Sequence, residues 1–237
     1  MTKRKRKAGL RSRATSALET GLSGLVILLP LWVILCLLVA TMAPTVWRVL
    51  EASGVLGVRL DARWYGPRDA GPGSLAPLFT RQVRHWGADI DRWALARGMN
   101  PNFVATVMQI ESCGNPLAVS PSGAAGLFQV MPFHFAEGDD FFAPETNAAR
   151  GLDYLAGCLG RANGDAGRAL ACYNGGPGLL SAVYTAWPAE TQRFYTWGTG
   201  IYADALVGRA GSEMLNQWLA AGGASLCQRA AGVLGVE

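Results

Sequence analysis

The chain has 237 residues, of which 50% are apolar and 16% charged, and its formal net charge is +4. That length can bury a sizeable core in one or two domains, each of about 100 to 150 residues. Seven of the 21 Lys and Arg stand ahead of residue 14, which leaves 14 basic against 17 acidic residues in the rest, so no basic face for nucleic acid is expected.

Residues 1–20 form a basic head: Lys3, Arg4, Lys5, Arg6, Lys7, Arg11 and Arg13 precede any acid, the first of which is Glu19. From Thr20 to Trp47 no residue is charged. Residues 21–43 are long enough for a transmembrane helix, which needs about 20 apolar residues. Pro30 is tolerable there, since membrane helices carry Pro more often than soluble ones. A cleaved signal peptide is the competing reading, but its apolar core runs to about 7–15 residues and ends at a small-residue site that Thr41-Met42-Ala43 fits poorly. Basic residues stay on the cytoplasmic side, so the reading is a single-pass membrane anchor with everything after residue 43 exported. Residues 44–80 carry Gly66-Pro67, Gly71-Pro72-Gly73 and Ala76-Pro77, and that density of breakers predicts a juxtamembrane spacer.

From residue 81 onward helical signals dominate. Val83, Trp86, Ile90, Trp93 and Leu95 lie near helical spacing and predict a helix over 81–97, closed by Gly98. Asn100-Pro101 supplies an N-cap and a first-turn proline for the next helix, which runs through Glu111 and Ser112 and stops at Gly114. Further helices are expected over 147–159 and 165–173, with helical stretches over 179–186 and 190–206. The glycine-rich segment 119–131 is the one candidate for a small β-hairpin. Residues 81–210 then form a helical domain and 211–237 a helical tail. Cys36 falls in the span, while Cys113, Cys158, Cys172 and Cys227 are exported and can form two disulfides in any of three pairings. No Cys-x-x-Cys occurs and there are only two histidines, His85 and His134, so no metal site is expected.

Glu111 follows Val104, Val107 and Met108 by seven, four and three residues, which places its carboxyl on the apolar stripe of its helix. Desolvation there, with the negative end of the helix dipole, disfavours ionisation. A glutamic acid that keeps its proton near neutrality is the kind of group that protonates a leaving glycosidic oxygen.

The run Glu111-Ser-Cys-Gly-Asn-Pro-Leu-Ala-Val-Ser-Pro-Ser-Gly-Ala-Ala-Gly-Leu-Phe-Gln-Val-Met-Pro132 resembles the signature of soluble-type lytic transglycosylases. Three more blocks match in order: Pro144-Glu-Thr-Asn-Ala-Ala-Arg-Gly-Leu-Asp-Tyr-Leu155, Ala171-Cys-Tyr-Asn-Gly-Gly-Pro-Gly178 and Pro188-Ala-Glu-Thr-Gln-Arg-Phe-Tyr195. The resemblance spans roughly 91–197. It implies a mainly α, goose-type lysozyme-like domain, and it assigns Glu111 as the catalytic acid and base. Ser112, Gln129, Met131, Tyr154, Tyr173 and Asn174 are the substrate-binding positions that go with it, the alternatives being a helix-end cap for Ser112, a structural turn for Gln129 and core packing for Tyr154. Glu190 reads as a helix-start acid, since acids favour that position. Trp187, Tyr195 and Trp197 read as packing residues. Cys113 and Cys172 depart from the family pattern, and both stand beside site residues.

Most glycosidases use two carboxylates, yet none lies between Glu111 and Glu137. The resemblance supplies a route with one: cleavage of the bond between N-acetylmuramic acid and N-acetylglucosamine in peptidoglycan glycan strands, without cofactor, ending in a 1,6-anhydro sugar. A lysozyme-like hydrolase drawing on Asp139, Asp140 or Asp153, or an inactive glycan-binding scaffold, are the alternatives. The sequence names no protein partner.

Overall fold

The structure, a computed structural model, describes residues 75–236. The basic head, the expected span over 21–43 and nearly all of the expected spacer lie outside the described residues. Among the described residues no helix is long and apolar enough to cross a membrane.

The protein is mainly helical, and one helix sits at its centre. We number the α-helices α1 (Arg81–His85), α2 (Gly87–Leu95), α3 (Pro101–Glu111), α4 (Pro144–Arg161), α5 (Ala166–Gly175), α6 (Ala189–Leu206), α7 (Glu213–Trp218) and α8 (Ala224–Leu234). α3 begins where the sequence predicts: the Asn100 side chain accepts from the Asn102 N–H, and Pro101 occupies the first turn. Nine of its eleven residues are buried, all but Asn102 and Glu111. A helix apolar on every side can only be a core helix, and α1, α2 and α6 pack around it. α4 packs on α5, α5 on α6, and α7 on α6. Asp165 caps α5 by accepting from the Arg168 N–H at 3.0 Å.

Three local expectations are changed. The helix expected over 81–97 is broken at Trp86, whose backbone leaves helical geometry (φ −88°, ψ 11°). Its indole Nε1 donates to the Gly114 carbonyl at 2.9 Å, and Gly87, a weak helix former, restarts the chain as α2. The hairpin expected over 119–131 does not form strands: two isolated antiparallel bridges, Val119 with Ala125 and Ala125 with Val130, stand in its place. Gly123 (φ +86°), Gly126 (φ +76°) and Gln129 (φ +45°) leave the extended region every third residue, so no ladder can propagate. The stretch 179–186 is not α-helical either, but holds the end of one 3₁₀ turn, Pro177–Ser181, and a second, Tyr184–Ala186.

Both ends of the described chain join the same core. Ala76, Leu78 and Phe79 are buried in it, as are Leu215, Trp218, Cys227 and Ala230 of the tail. The Gln109 side chain on α3 accepts from the Thr80 N–H and hydroxyl at 3.2 and 3.1 Å. Of the three possible disulfide pairings, the one formed is Cys113–Cys227 with Cys158–Cys172. The first fastens the turn after α3 to α8, and the second fastens α4 to α5.

Candidate active site

Glu111 is the last residue of α3, so the buried helix delivers its carboxyl to the edge of the core. The backbone then turns sharply through Cys113 (φ +52°) and Gly114 (φ +78°). A Cβ on Gly114 would come 2.8 Å from the Gln82 carbonyl oxygen, so only glycine lets the turn lie against α1. Ser112 is fully buried and locks the turn: its hydroxyl donates to the Leu127 carbonyl at 2.7 Å and accepts from the Gly114 N–H at 3.1 Å. Ser112 thereby ties the helix end to the 119–131 segment and fixes where Glu111 points.

The Glu111 side chain makes no hydrogen bond or ion pair among the described residues, and it is partly exposed. Burial of the carboxyl among neighbouring side chains, and then the negative charge of Glu190, push its pKa from an ordinary 4.5 up to about 8. A carboxyl that is unpartnered, reachable and protonated at neutral pH is equipped to donate a proton to a ligand.

The loop opposite is held by Asn147 of α4. This side chain is fully buried; it accepts from the Phe128 N–H at 2.9 Å and donates to the carbonyls of Ala125 and Phe141 at 2.7 and 2.9 Å. Tyr173 of α5 is buried and donates its hydroxyl to the Phe128 carbonyl at 2.6 Å. Burial, followed by the charges of Glu111 and Tyr154, drives its phenol well above the ordinary range. Tyr173 is thus a neutral neighbour of the carboxyl.

The other candidate positions fall around this centre. Gln129 donates its Nε2 to the Ala118 and Gly126 carbonyls at 3.1 and 3.0 Å, leaving its Oε1 without a hydrogen bond among the described residues. Met131 is partly exposed and leads into the 3₁₀ turn Pro132–His134. Tyr154 of α4 is half-buried, lies tilted against Tyr173 at 5.5 Å between ring centroids, and donates to the Cys172 carbonyl at 3.3 Å. Asn174 accepts through Oδ1 from the Thr191 hydroxyl at 2.7 Å, which brings the end of α5 against the start of α6.

The acids named for a hydrolase are engaged elsewhere. Asp139 pairs with Arg150 at 2.7 Å, and that hydrogen bond, with one from the Ala136 N–H, holds its carboxyl below its ordinary value. Asp140 accepts from the Phe142 N–H, and Asp153 pairs with Arg97 at 2.9 Å. Among the described residues it is Glu190, exposed in the first turn of α6, whose charge reaches Glu111. Reading that residue as a helix-start acid missed this second effect. The Asn174–Thr191 contact that carries it toward the site is tertiary, and only the order of the motif blocks hinted at it.

Comparison with known proteins shows what the chain is similar to. Residues 89–187 match the family model described as the transglycosylase SLT domain. The chain is 34% identical over 134 residues to the membrane-bound lytic murein transglycosylase C of Edwardsiella ictaluri, covering 47% of this chain and 37% of that protein. It is 32% identical over 111 residues to the transglycosylase of Enterobacteria phage PRD1, covering 46% of this chain and 40% of that one. The chain thus spans about two fifths of the length of these relatives. Among solved structures it resembles a lytic transglycosylase Slt from Pseudomonas aeruginosa, solved as an inactive mutant, with a TM-score of 0.43 and 23% identity over 54% of this chain and 25% of that one.

Proposed function

We propose that this chain, whose residues 89–187 match the transglycosylase SLT domain model, is a membrane-anchored lytic transglycosylase acting on the glycan strands of peptidoglycan. The observation that carries the reading is the state of Glu111: protonated to about pH 8, free of partners and open to a ligand. Glu111 donates its proton to the oxygen linking N-acetylmuramic acid to N-acetylglucosamine, and the C1–O bond breaks as the neighbouring acetamido oxygen supports C1. The carboxylate left behind then takes the proton of the sugar's own 6-hydroxyl, and the C1–O6 bond closes a 1,6-anhydro ring. One residue serves as acid and then as base, and no cofactor enters. Gln129, Met131, Tyr154, Tyr173 and Asn174 face the sugar, and Ser112 holds Glu111 in position. The basic head and the apolar run 21–43 support a single membrane anchor with the catalytic domain outside the cell membrane. The two disulfides support export, since such bonds persist in oxidising compartments.

The test is digestion of purified sacculi by the full-length chain with mass analysis of what is released. Terminal anhydro sugars, each lighter by one water than a reducing end, are expected, and Glu111→Gln should lower release by about 10³-fold or more, the scale of losing a general acid. Reducing ends would indicate a hydrolase, with Glu190 as the group to hold the water, because its charge reaches Glu111. Unchanged release by Glu111→Gln would remove the assignment altogether.

A further inference from the structure

One row of rings crosses the surface and ends beside Glu111. Phe133 and His134 sit on the 3₁₀ turn Pro132–His134, their ring centroids 4.5 Å apart. The His134 ring lies 4.4 Å from that of Tyr154, and Tyr154 lies 5.5 Å from Tyr173, whose phenol feels the charge of Glu111. The row grades from the buried Tyr173 through the half-buried Tyr154 and His134 to Phe133, which is 75% exposed. Core packing does not explain the outer end. Phe135 anchors the same turn by stacking on Phe141 at 4.1 Å and packing against the core, while Phe133 contacts His134 and otherwise meets solvent. The His134 side chain makes no hydrogen bond among the described residues, though its backbone N–H donates to the Met131 carbonyl at 3.0 Å. Burial lowers its pKa, so near neutrality its ring offers one donor and one acceptor.

We propose that Phe133, His134 and Tyr154 form a binding subsite for an N-acetylated sugar ring of the glycan strand, extending the cleft outward from the bond that Glu111 attacks. It rests on the glycan-cleaving reading above. The chemistry is complementary: one face of a pyranose presents C–H groups of slight positive character, and an aromatic face is negative. A hydroxyl or acetamido group at the ring's edge meets the free imidazole nitrogens. Aromatic side chains beside a few placed polar groups are how small-ligand sites are generally lined. The row also gives the subsite a fixed distance from the carboxyl, because Tyr154 and Tyr173 are each held by a hydrogen bond to a backbone carbonyl.

The test uses the full-length chain carrying Glu111→Gln, so that sacculi are bound and not consumed, with the unsubstituted chain assayed for fragment release in parallel. Adding Phe133→Ala with His134→Ala is expected to weaken binding to sacculi by about tenfold, the scale of losing one central contact. Phe133→Trp should keep the affinity and Phe133→Leu should not, because a flat face and not bulk is required. Equal binding by the Phe133→Ala, His134→Ala form, or full retention by Phe133→Leu, would overturn the subsite while fragment release by the unsubstituted chain left the parent reading standing. No release by the unsubstituted chain would overturn both. Thermal melting guards against misfolding: Phe133 is exposed, so its substitution should leave the melting temperature in place, and Phe133→Trp reads the same subsite without removing a ring.

Discussion

At the scale of single residues, the proton on Glu111 sets the expected pH behaviour. In the proposed reaction the group must be protonated at the start, so release from sacculi should hold on the acid side of about pH 8 and fall as pH rises through that value. Glu190 contributes to the shift after burial does, so Glu190→Gln should move this alkaline limb to lower pH by a fraction of a unit. A limb that stayed in place would remove Glu190 from the site. The same proton links to stability. The folded-state pKa of about 8 exceeds the unfolded value of 4.5, so stability is full below 4.5 and is lost as pH rises toward 8. Glu111→Gln cannot ionise, and at pH 8 it should be more stable than the unsubstituted chain by ~2–3 kcal/mol, each unit counting about 1.4 kcal/mol less a discount for partial exposure. Urea unfolding at pH 5 and pH 8 would show the two forms diverging only at the higher pH. Glu111 was legible in the sequence because its spacing from Val104, Val107 and Met108 is local to one helix. Glu190 was not, because its effect on Glu111 acts across the fold from the start of α6.

At the scale of elements, α4 works as the bracket of the cleft. Asn147 holds Phe128, Ala125 and Phe141 by three hydrogen bonds, two of them buried, and Phe128 in turn accepts from Tyr173. Asn147→Ala would leave the Phe128 N–H and the Phe141 carbonyl without these partners, while the Ala125 carbonyl keeps only the Val130 N–H, at about 1–3 kcal/mol for a buried group so abandoned. We expect a loss of ~3 kcal/mol in denaturant unfolding and a clear fall in activity, since the loop that faces Glu111 loses its anchor. A neutral outcome would mean that the disulfides and Ser112 hold the loop alone. The elements legible in sequence are those whose ends are fixed by neighbours in the chain: Asn100 and Pro101 for α3, and Asp165 for α5. Those that were not depend on distant partners. The break between α1 and α2 follows the pull of the Gly114 carbonyl on the Trp86 indole. The 119–131 segment has hairpin composition, but its backbone bends to present carbonyls to Ser112, Gln129, Asn147 and Tyr173, and extended pairing is given up.

At the scale of the molecule, the tail is bound into the core that surrounds α3. Leu215, Trp218 and Ala230 are buried with the residues that surround α3, and Gly223 leaves room for the Trp218 indole, where a Cβ would collide with the ring. Cys113, two residues beyond Glu111, is bonded to Cys227, so the position of the Glu111 carboxyl depends on a helix more than a hundred residues away. The two bridges close loops of very different size, with sequence separations of 114 and 14. If their effect is chiefly on the entropy of the unfolded chain, removing Cys113–Cys227 should cost roughly 4–5 kcal/mol and removing Cys158–Cys172 about 3 kcal/mol. Paired serine substitutions read by urea unfolding would measure both, and a reversed order would show that packing around the sulfurs outweighs loop closure. Activity separates the two in another way. Loss of Cys113–Cys227 frees the turn that Ser112 locks and should reduce glycan release even where the fold survives. Loss of Cys158–Cys172 acts through α4 and α5, reaches Glu111 only by way of Tyr154 and Tyr173, and should therefore weaken sacculus binding before it slows the chemical step.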